Sequence, residues 1–292
     1  MRNHRRNRRI EVLKCIMKSI SGKKYTKIPI IIDGTDAVIE DFPHMGAVGW
    51  RSINETWMFM CGCSLISSKF TLTAAHCSEV PSNFGVKNTV PEVVRLGDEN
   101  IRDFDAQKID PRDAQILRII VHPSYSAPKK YFDIALMEIE ERPYFSSNVQ
   151  PVCLWGQLDT SELGTSATIT GWGVVDEATG TRADVLQVAE VDIIDSELCD
   201  TLLQPIRNRN WWGLENQICA GKLEGGPDTC RGDSGGPLQV TIPLPDKDEG
   251  YMHCVIGVTC FSKNCGMPDC PGVYTRVASF IDWIESIVWP ES

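Results

Sequence analysis

The residues best suited to chemistry lie near the C-terminus, in the run GDSGGP at residues 232–237. A serine among glycines is typical of a tight turn that presents the hydroxyl group for nucleophilic attack. That hydroxyl needs a base to take its proton, and the base is usually a histidine oriented by a carboxylate. At roughly one in twenty per residue type, a given hexamer arises by chance on the order of once in 100,000 chains of this length.

Candidates for the base and the carboxylate occur earlier in the chain. His76 lies in the run LTAAHC at residues 72–77, and Asp133 interrupts the apolar run DIALM at residues 133–137. Taken alone, Asp133 could equally be an edge-strand or turn residue, and His76 could be structural. The motif around His76 and the chain order His, Asp, Ser together favour catalysis. The other histidines are interpreted as surface or turn residues: His4, His44, His122 and His253.

With these three segments, the chain resembles the trypsin/chymotrypsin family of serine proteases from about Ile31 to Ser292. The resemblance implies a serine endopeptidase in which Ser234 is the nucleophile and His76 is first the general base and then the general acid. Asp133 would fix the tautomer of the imidazole. The backbone N–H groups of Gly232 and Ser234 would form the oxyanion hole.

The resemblance also predicts the substrate side chain. Asp228 lies six residues before Ser234, where a carboxylate in this family occupies the bottom of the primary pocket and pairs with Arg or Lys. Gly272 would leave the pocket wall open for a long side chain. Ser262 replaces a common glycine at the pocket entrance and would narrow it.

Regulation is predicted at the other end of the chain. The run IIDGTDA at residues 31–37 resembles the mature N-terminus of the family, whose freed α-amine pairs with the carboxylate beside the nucleophile, here Asp233. The uncut chain would therefore be a zymogen. The residue before the expected cut is Ile30, so the resemblance implies an activator that accepts an aliphatic residue rather than self-activation at Ile31.

Twelve cysteines indicate an oxidising compartment and a secreted protein, although residues 1–30 show no apolar leader. The resemblance implies four disulfides: Cys15–Cys153, Cys61–Cys77, Cys199–Cys219 and Cys230–Cys265. Four cysteines remain, which allow three connectivities; we favour Cys260–Cys270 and Cys63–Cys254. Asn54 begins the glycosylation acceptor sequence Asn-Glu-Thr.

Length and charge fit this interpretation. Residues 1–30 hold ten basic groups and one acidic group, whereas the other 262 residues hold 19 basic and 38 acidic groups. The acidic part should repel nucleic acid and favour basic partners. The sequence contains no run of 18 apolar residues, so it predicts no membrane-spanning helix. We expect a basic head with a propeptide remnant over 1–30 and a protease domain over 31–292, with lobes meeting near 145–155.

The elements that must position these residues are mostly strands. Short apolar runs at 93–96, 116–121 and 167–170 alternate with turn residues, a pattern typical of an all-β protein. The family resemblance implies two six-stranded antiparallel β-barrels with the triad between them. Apolar residues at helical spacing predict a C-terminal helix after Ser279, where Ser279 and Asp282 resemble a capping box.

A narrower resemblance comes from the runs DFPHM at 41–45 and PVCLW at 151–155 and from the aliphatic residue before the activation bond. These resemble arthropod clip-domain proteases of the snake type, although we expect no clip domain here. The resemblance implies an extracellular cascade of immunity, melanisation or patterning. Its partners would be a downstream zymogen as the protein substrate, an upstream activating protease and a serpin-type inhibitor.

The sequence leaves two alternatives open, one on calcium binding and one on catalytic activity. No cofactor is expected, but the acidic stretch from Asp98 to Asp113 is either a solvated loop, which we favour, or a calcium-binding loop as in some relatives. A catalytically weak or silent homologue that acts as a binding partner is the alternative function. Cys260 supports that alternative because serine usually occupies this position beside the catalytic carboxylate.

Overall fold

The computed structural model describes residues 35–101, 113–141, 145–176, 179–243, 250–263 and 265–290. Most of its regular elements are strands. A short strand precedes a first barrel of six strands: β1 (Thr35–Asp36), then β2 (Met45–Arg51), β3 (Trp57–Leu65), β4 (Phe70–Thr73), β5 (Val93–Leu96), β6 (Asp113–Val121) and β7 (Ala135–Ile139). These six strands close antiparallel in the order β2-β3-β4-β7-β6-β5.

A second set of strands builds the other half of the molecule: β8 (Cys153–Leu154), β9 (Ser166–Gly171), β10 (Val174–Asp176), β11 (Thr181–Arg182), β12 (Gln187–Ile194), β13 (Gln217–Gly221), β14 (Pro237–Pro243), β15 (Tyr251–Phe261) and β16 (Gly272–Arg276). The order β12-β13-β16-β15-β14-β9 closes because β9 also pairs with β12. The prediction of two six-stranded antiparallel barrels is confirmed, and the three apolar runs lie in β5, β6 and β9.

Each barrel has an apolar interior, and some of its strands, such as β4 in the first barrel and β13 in the second, are buried along their whole length. Trp50, Leu72 and Leu136 are fully buried in the first barrel, and Val191 and Leu238 are fully buried in the second. Burial of such a side chain stabilises the fold by about 1.5–3 kcal/mol. The barrels therefore act as rigid supports for the loops between them.

Short helices complete the fold. The α-helices are α1 (Ser196–Leu202) and α2 (Ile281–Val288), and the 3-10 turns are Ala75–Ser78, Ser82–Phe84, Ser161–Leu163, Gln204–Ile206 and Val277–Phe280. Helix α2 confirms the predicted C-terminal helix, and its Ile281 and Ile284 pack into the core of the first barrel although the helix follows the last strand of the second. It thus clasps the two halves together.

The predicted capping box before α2 is wrong. The helix begins after Phe280 with no side-chain cap, and Ser279 lies inside the preceding 3-10 turn. The Oγ atom of Ser279 is buried and has no hydrogen-bond partner among the described residues. The apolar spacing located the helix correctly, but the 3-10 turn shifted its first residue. In the described part of the chain, no helix is both long enough and apolar enough to cross a membrane.

Candidate active site

Ser234 lies on the turn before β14 of the second barrel, and this turn contacts the first barrel. Its carbonyl oxygen accepts a hydrogen bond of 2.8 Å from the N–H of Gly62 in β3. The turn requires glycine on both sides of the serine, because Gly232 and Gly235 have φ of 108° and 79°, values that L side chains rarely adopt. A Cβ on Gly232 would also lie 3.0 Å from the Cα of Gly173. The local sequence therefore fixes where the hydroxyl group stands.

The predicted oxyanion donors are on the same turn. Among the described residues, none accepts a hydrogen bond from the N–H of Gly232 or of Ser234. The neighbouring N–H of Gly235, by contrast, donates to Thr259 at 2.9 Å. Free N–H groups at such a turn can stabilise a developing oxyanion.

His76 is held against Asp133 by two contacts. The 3-10 turn after β4 carries His76, whose backbone N–H donates to Oδ1 of Asp133 at 2.8 Å. The ring Nδ1 lies 2.7 Å from Oδ2 of the same carboxylate. Because an ionised carboxylate only accepts hydrogen bonds, Nδ1 carries the shared proton and Nε2 is left as the base.

The disulfide Cys61–Cys77 fixes this turn to β3. Cys77 Sγ lies 3.6 Å from the carbonyl oxygen of Ser234, so the turns of His76 and Ser234 are in contact. The structure thus places His76 and Asp133 in direct contact and brings the His76 turn against the turn of Ser234, the third residue of the predicted triad. It also contains the predicted disulfides Cys199–Cys219 and Cys230–Cys265.

The two additional disulfides that we favoured are wrong. Cys63, Cys254, Cys260 and Cys270 are free thiols in the structure. The pleat of β15 directs Cys260 towards the triad, where its Sγ donates to Oδ2 of Asp133 at 3.1 Å. Cys63 lies in the first barrel and Cys254 in the second, where Cys254 is the register partner of Cys153. Cys15 lies outside the described residues, so its pairing with Cys153 stays a prediction.

The electrostatics of Asp133 follow from these contacts. Burial alone would raise its pKa, since the side chain is 1% exposed. The charge of the His76 ring and the hydrogen bonds from His76 and Cys260 outweigh burial and hold the pKa of Asp133 below its ordinary value. The carboxylate is therefore ionised when it supports the imidazole.

Asp228 lies in a separate pocket behind the Ser234 turn. Its carboxylate accepts hydrogen bonds from the N–H of Thr229 at 2.7 Å, from Ser262 Oγ at 2.9 Å and from the N–H of Gly266 at 3.2 Å. Burial raises the pKa of Asp228 to about 6, although these hydrogen bonds oppose the shift. A Cβ on Gly272 would lie 3.1 Å from Oδ1 of Asp228, so the glycine keeps the carboxylate accessible.

Sequence reasoning missed two residues of this pocket. Thr229 Oγ1 and the hydroxyl of Tyr274 lie 3.0 Å apart, and both are buried. This pair forms part of the pocket floor beside Gly272. The sequence indicates these two residues only by their nearness to predicted ones, since Thr229 follows Asp228 and Tyr274 lies two residues after Gly272.

Asp233 faces the opposite side of the turn from Ser234. Its carboxylate accepts the N–H groups of Gly173 at 2.8 Å and Cys230 at 2.9 Å. Burial raises its pKa to about 6, against these hydrogen bonds and the charge of Arg182. A cavity of about 340 Å³ adjoins both acidic residues, and its lining includes Asp228, Asp233, Gly173, Gln187 and Val188.

The remaining predicted site residues lie elsewhere. Ile30 and Ile31 are outside the described residues. Asn54 is exposed in the turn between β2 and β3, as a glycosylation acceptor must be, but its modification stays a prediction. Of the acidic stretch, Asp113 binds the guanidinium of Arg95 with both oxygens, at 2.7 and 2.9 Å. The intervening residues 102–112 are not described.

A serine, a base and a buried carboxylate at the junction of two barrels define a serine hydrolase. The sequence profile described as trypsin matches residues 31–284, and the chain belongs to the trypsin family of serine endopeptidases. It is 36% identical over 279 residues to the serine protease snk of Drosophila melanogaster, and 34% identical over 266 residues to the serine protease Hayan of the same species. It is 33% identical over 266 residues to the clotting factor G beta subunit of Tachypleus tridentatus.

The matched lengths differ among these relatives. The matches take in 94%, 90% and 90% of this chain and 60%, 39% and 81% of snk, Hayan and the clotting factor subunit. The chain therefore spans less than two thirds of the first two relatives. The resemblance to arthropod proteases of the snake type is confirmed, and it concerns the protease domain.

Proposed function

We propose that the protein is the protease of an extracellular cascade, that it is made as a zymogen, and that it cleaves protein substrates after Arg or Lys. The observation that carries this proposal is Asp228, a half-buried carboxylate six residues before Ser234 that accepts hydrogen bonds from Ser262 and Gly266. In the described part of the chain, no basic side chain forms an ion pair with it. A substrate guanidinium or ammonium would supply the missing cation.

The chemistry assigned to the triad follows from its geometry. Ser234 attacks the scissile carbonyl as Nε2 of His76 takes its proton, and the imidazolium so formed is stabilised by Asp133 at 2.7 Å. The N–H groups of Gly232 and Ser234 stabilise the oxyanion, and His76 then protonates the leaving amine. Water repeats the sequence on the acyl-enzyme and releases Ser234.

Ser262 adds a feature to the pocket. Its hydroxyl donates to Asp228 at 2.9 Å and so occupies an oxygen that an incoming guanidinium needs. A bidentate Arg must displace this hydroxyl, whereas the compact ammonium of Lys can share the carboxylate with it. We therefore place Ser262 among the residues that set the preference between Arg and Lys.

Activation is supported by the position of strand β1. Strand β1 pairs Thr35 with Val188 and Asp36 with Gln187, and both partners line the cavity of Asp233. Ile31 is four residues upstream of Thr35, a reach of about 13 Å for an extended chain. A new α-ammonium at Ile31 can therefore meet Asp233, and that charge would lower the cost of keeping Asp233 ionised.

The cascade role rests on the relatives. One similar protein is by name a clotting factor subunit, and a further relative is by name a clip-domain serine protease of Anopheles gambiae. The three disulfides support secretion into an oxidising compartment. We propose a downstream zymogen as substrate, an upstream protease that cuts after Ile30, and a serpin-type inhibitor. Calcium plays no part in this proposal.

The alternative is a weakly active or silent homologue that acts as a binding partner. The observation in its favour is the Cys260 thiol, since a thiol is a weaker hydrogen-bond donor to Asp133 than a hydroxyl. The contact of 3.1 Å shows that this donor is nevertheless in place. The alternative therefore predicts slow turnover rather than a misplaced triad.

One experiment separates these functions. The secreted protein is cut with a protease that accepts aliphatic residues, its new N-terminus is sequenced, and Ser234 is labelled with an organophosphonate. Labelling and turnover of Arg and Lys peptides are expected only when the new terminus is Ile31, and Ser234→Ala is the control for labelling. A correctly cut protein that neither labels nor turns over would establish the silent homologue, and an active species beginning at Ile28 would refute the proposed site.

A further inference from the structure

A pair of lysines covers two aromatic rings beside the cleft. Lys130 Nζ lies 5.9 Å from the ring centroid of Phe261, and Lys129 Nζ lies 5.9 Å from that of Trp212. Lys129 is exposed, Lys130 is half-buried, and Trp212 is 52% exposed. We call these four residues the cationic wall.

The cationic wall runs between the triad and the primary pocket. The carbonyl oxygen of Lys130 lies 3.5 Å from Cys260 Sγ, the thiol that also contacts Asp133. Phe261 follows Cys260 in the chain, and the next residue, Ser262, reaches Asp228. A peptide that places a basic side chain on Asp228 and its carbonyl group at Ser234 must therefore pass beside this wall.

The direction of the peptide decides which of its residues meet the wall. The scissile bond follows the basic residue, so the residues after the bond leave past Ser234 and His76. For the residues before it, the segment of Phe261 and Ser262 offers a path, because this segment leads from the Cys260 contact with Asp133 to the Ser262 contact with Asp228. Because an extended chain advances about 3.3 Å per residue, the first or second residue before the basic one lies within reach of a lysine side chain.

The charge of the wall is not neutralised by an ion pair within the described part of the chain. Within the described residues, neither Lys129 nor Lys130 has a carboxylate at ion-pair distance. The neighbouring acid Asp200 is already bound by Arg207. Each ammonium has three donors, and an aromatic ring satisfies none of them fully. A local cationic site thus stands at the cleft of a chain whose residues beyond 30 are strongly acidic.

We propose that the cationic wall selects substrates that carry Asp or Glu one or two residues before the cleaved Arg or Lys. The inference rests on the proposed function and names its substrate class more narrowly, as an acidic residue followed by a basic one. Lys130 acts on the nearer position and Lys129 on the farther one. Both are specificity residues and neither takes part in the chemical step.

The test uses the activated protein and fluorogenic tripeptides that end in Arg. Peptides with Asp at the first or second position before Arg are compared with alanine and lysine versions at low salt. The acidic peptides should have a kcat/KM about three- to fivefold above the alanine peptide, the gain typical of a partly exposed ion pair. The preference should shrink towards unity at about 0.5 M salt, because screening weakens exposed pairs.

Variants assign the preference to the wall. Lys129→Met with Lys130→Met keeps the stems and should abolish the preference, so that the acidic and alanine peptides are cleaved with equal kcat/KM. Lys130→Glu should favour lysine over Asp at the nearer position. Lys69→Met, in the turn before β4, removes a lysine paired with Glu141 at 3.4 Å and should change nothing.

The possible outcomes are distinguishable. If every tripeptide is cleaved equally well, or if the preference survives in the double Met variant, the inference is overturned and the proposed function stands. If no Arg or Lys peptide is cleaved by the activated protein, the proposed function falls, and the inference falls with it.

Discussion

Two carboxylates at the same cleft, Asp133 and Asp228, are in opposite electrostatic states. Asp133 is buried and Asp228 is half-buried, yet the pKa of Asp133 is lowered and that of Asp228 is raised to about 6. His76 contacts Asp133 from within the chain through its backbone N–H and its ring Nδ1, whereas Asp228 is contacted by donors such as the Ser262 hydroxyl. Burial therefore does not decide the state of a carboxylate here. The site of Asp133 is completed within the chain, whereas under the proposed function the site of Asp228 is completed by the substrate.

The largest expected effect comes from removing the charge of the completed site. In Asp133→Asn the ring of His76 loses the acceptor that fixes its tautomer, so kcat on an Arg peptide should fall about 10⁴-fold. Binding of an aryl amidine to Asp228 should be unchanged, and this serves as the control for folding. A fall of less than tenfold with intact amidine binding would show that Asp133 does not orient the base.

The second-largest effect is expected at Asp228, whose site is completed by the substrate under the proposed function. Asp228→Asn should lower kcat/KM on Arg and Lys peptides by about 100-fold or more, because a desolvated cation would meet no anion. The same change should raise the unfolding midpoint of the uncut chain at pH 8, where the wild-type protein keeps an unmatched carboxylate. Thr229→Val, which alters the pocket without touching the charge, is the matched variant. Loss of activity together with loss of stability would contradict this account.

A third prediction uses pH to compare buried acids with buried bases in the uncut chain. The pKa of Asp233 is raised to about 6 from 3.8, so its contribution to stability is present below pH 3.8 and is lost as pH rises through 6. The pKa of His253 is lowered to about 4 from 6.5 by burial, so its contribution is present above pH 6.5 and is lost as pH falls towards 4.

Thermal unfolding from pH 4 to pH 8 separates these opposite slopes. Relative to the wild type, the unfolding temperature of Asp233→Asn should rise by several degrees as pH rises from 4 to 6, because a shift in pKa changes the free energy of unfolding. The unfolding temperature of His253→Gln should rise relative to the wild type as pH falls over the same range, because glutamine does not titrate. Glutamine is chosen because its amide can still donate to the carbonyl of Asp41, which His253 Nε2 contacts at 2.8 Å. Parallel curves for the two variants would refute the assignment.

The smallest effect sharpens the comparison within the completed site. Cys260→Ser replaces a weak donor to Asp133 by a stronger one at the same position, and kcat should rise about two- to fivefold. Cys270→Ser is the matched control, because its thiol is half-buried and, among the described residues, makes no hydrogen bond to the triad. An unchanged kcat in both variants would mean that His76 alone fully satisfies Asp133.

Much of the site could be predicted because its signals are local. The turn of Ser234 is specified by adjacent glycines, and His76 and Asp133 lie in short motifs that do not depend on distant residues. The family resemblance then supplied the barrels and three disulfides that the structure contains. Such features follow from short segments, and a sequence records short segments directly.

Features that depend on the direction of side chains across the fold could not be predicted. The disulfide expected between Cys260 and Cys270 failed because the pleat of β15 turns Cys260 towards Asp133. The contact of Lys130 with Phe261 joins residues 131 positions apart, and no spacing rule connects them. The aliphatic side chain at Ile30 and the tether at Cys15 stay predictions, since both lie outside the described residues.

The hydrogen bond from Gly62 to the carbonyl of Ser234 has a mechanical consequence. Strand β3 of the first barrel holds the backbone of a nucleophile that belongs to the second, while Thr73 Oγ1 secures the same glycine at 2.8 Å. A small rotation of one half against the other must therefore displace the hydroxyl from its base. Catalytic activity therefore depends on how the two halves are aligned. A molecule that separates the two halves would inhibit the enzyme without entering the cleft.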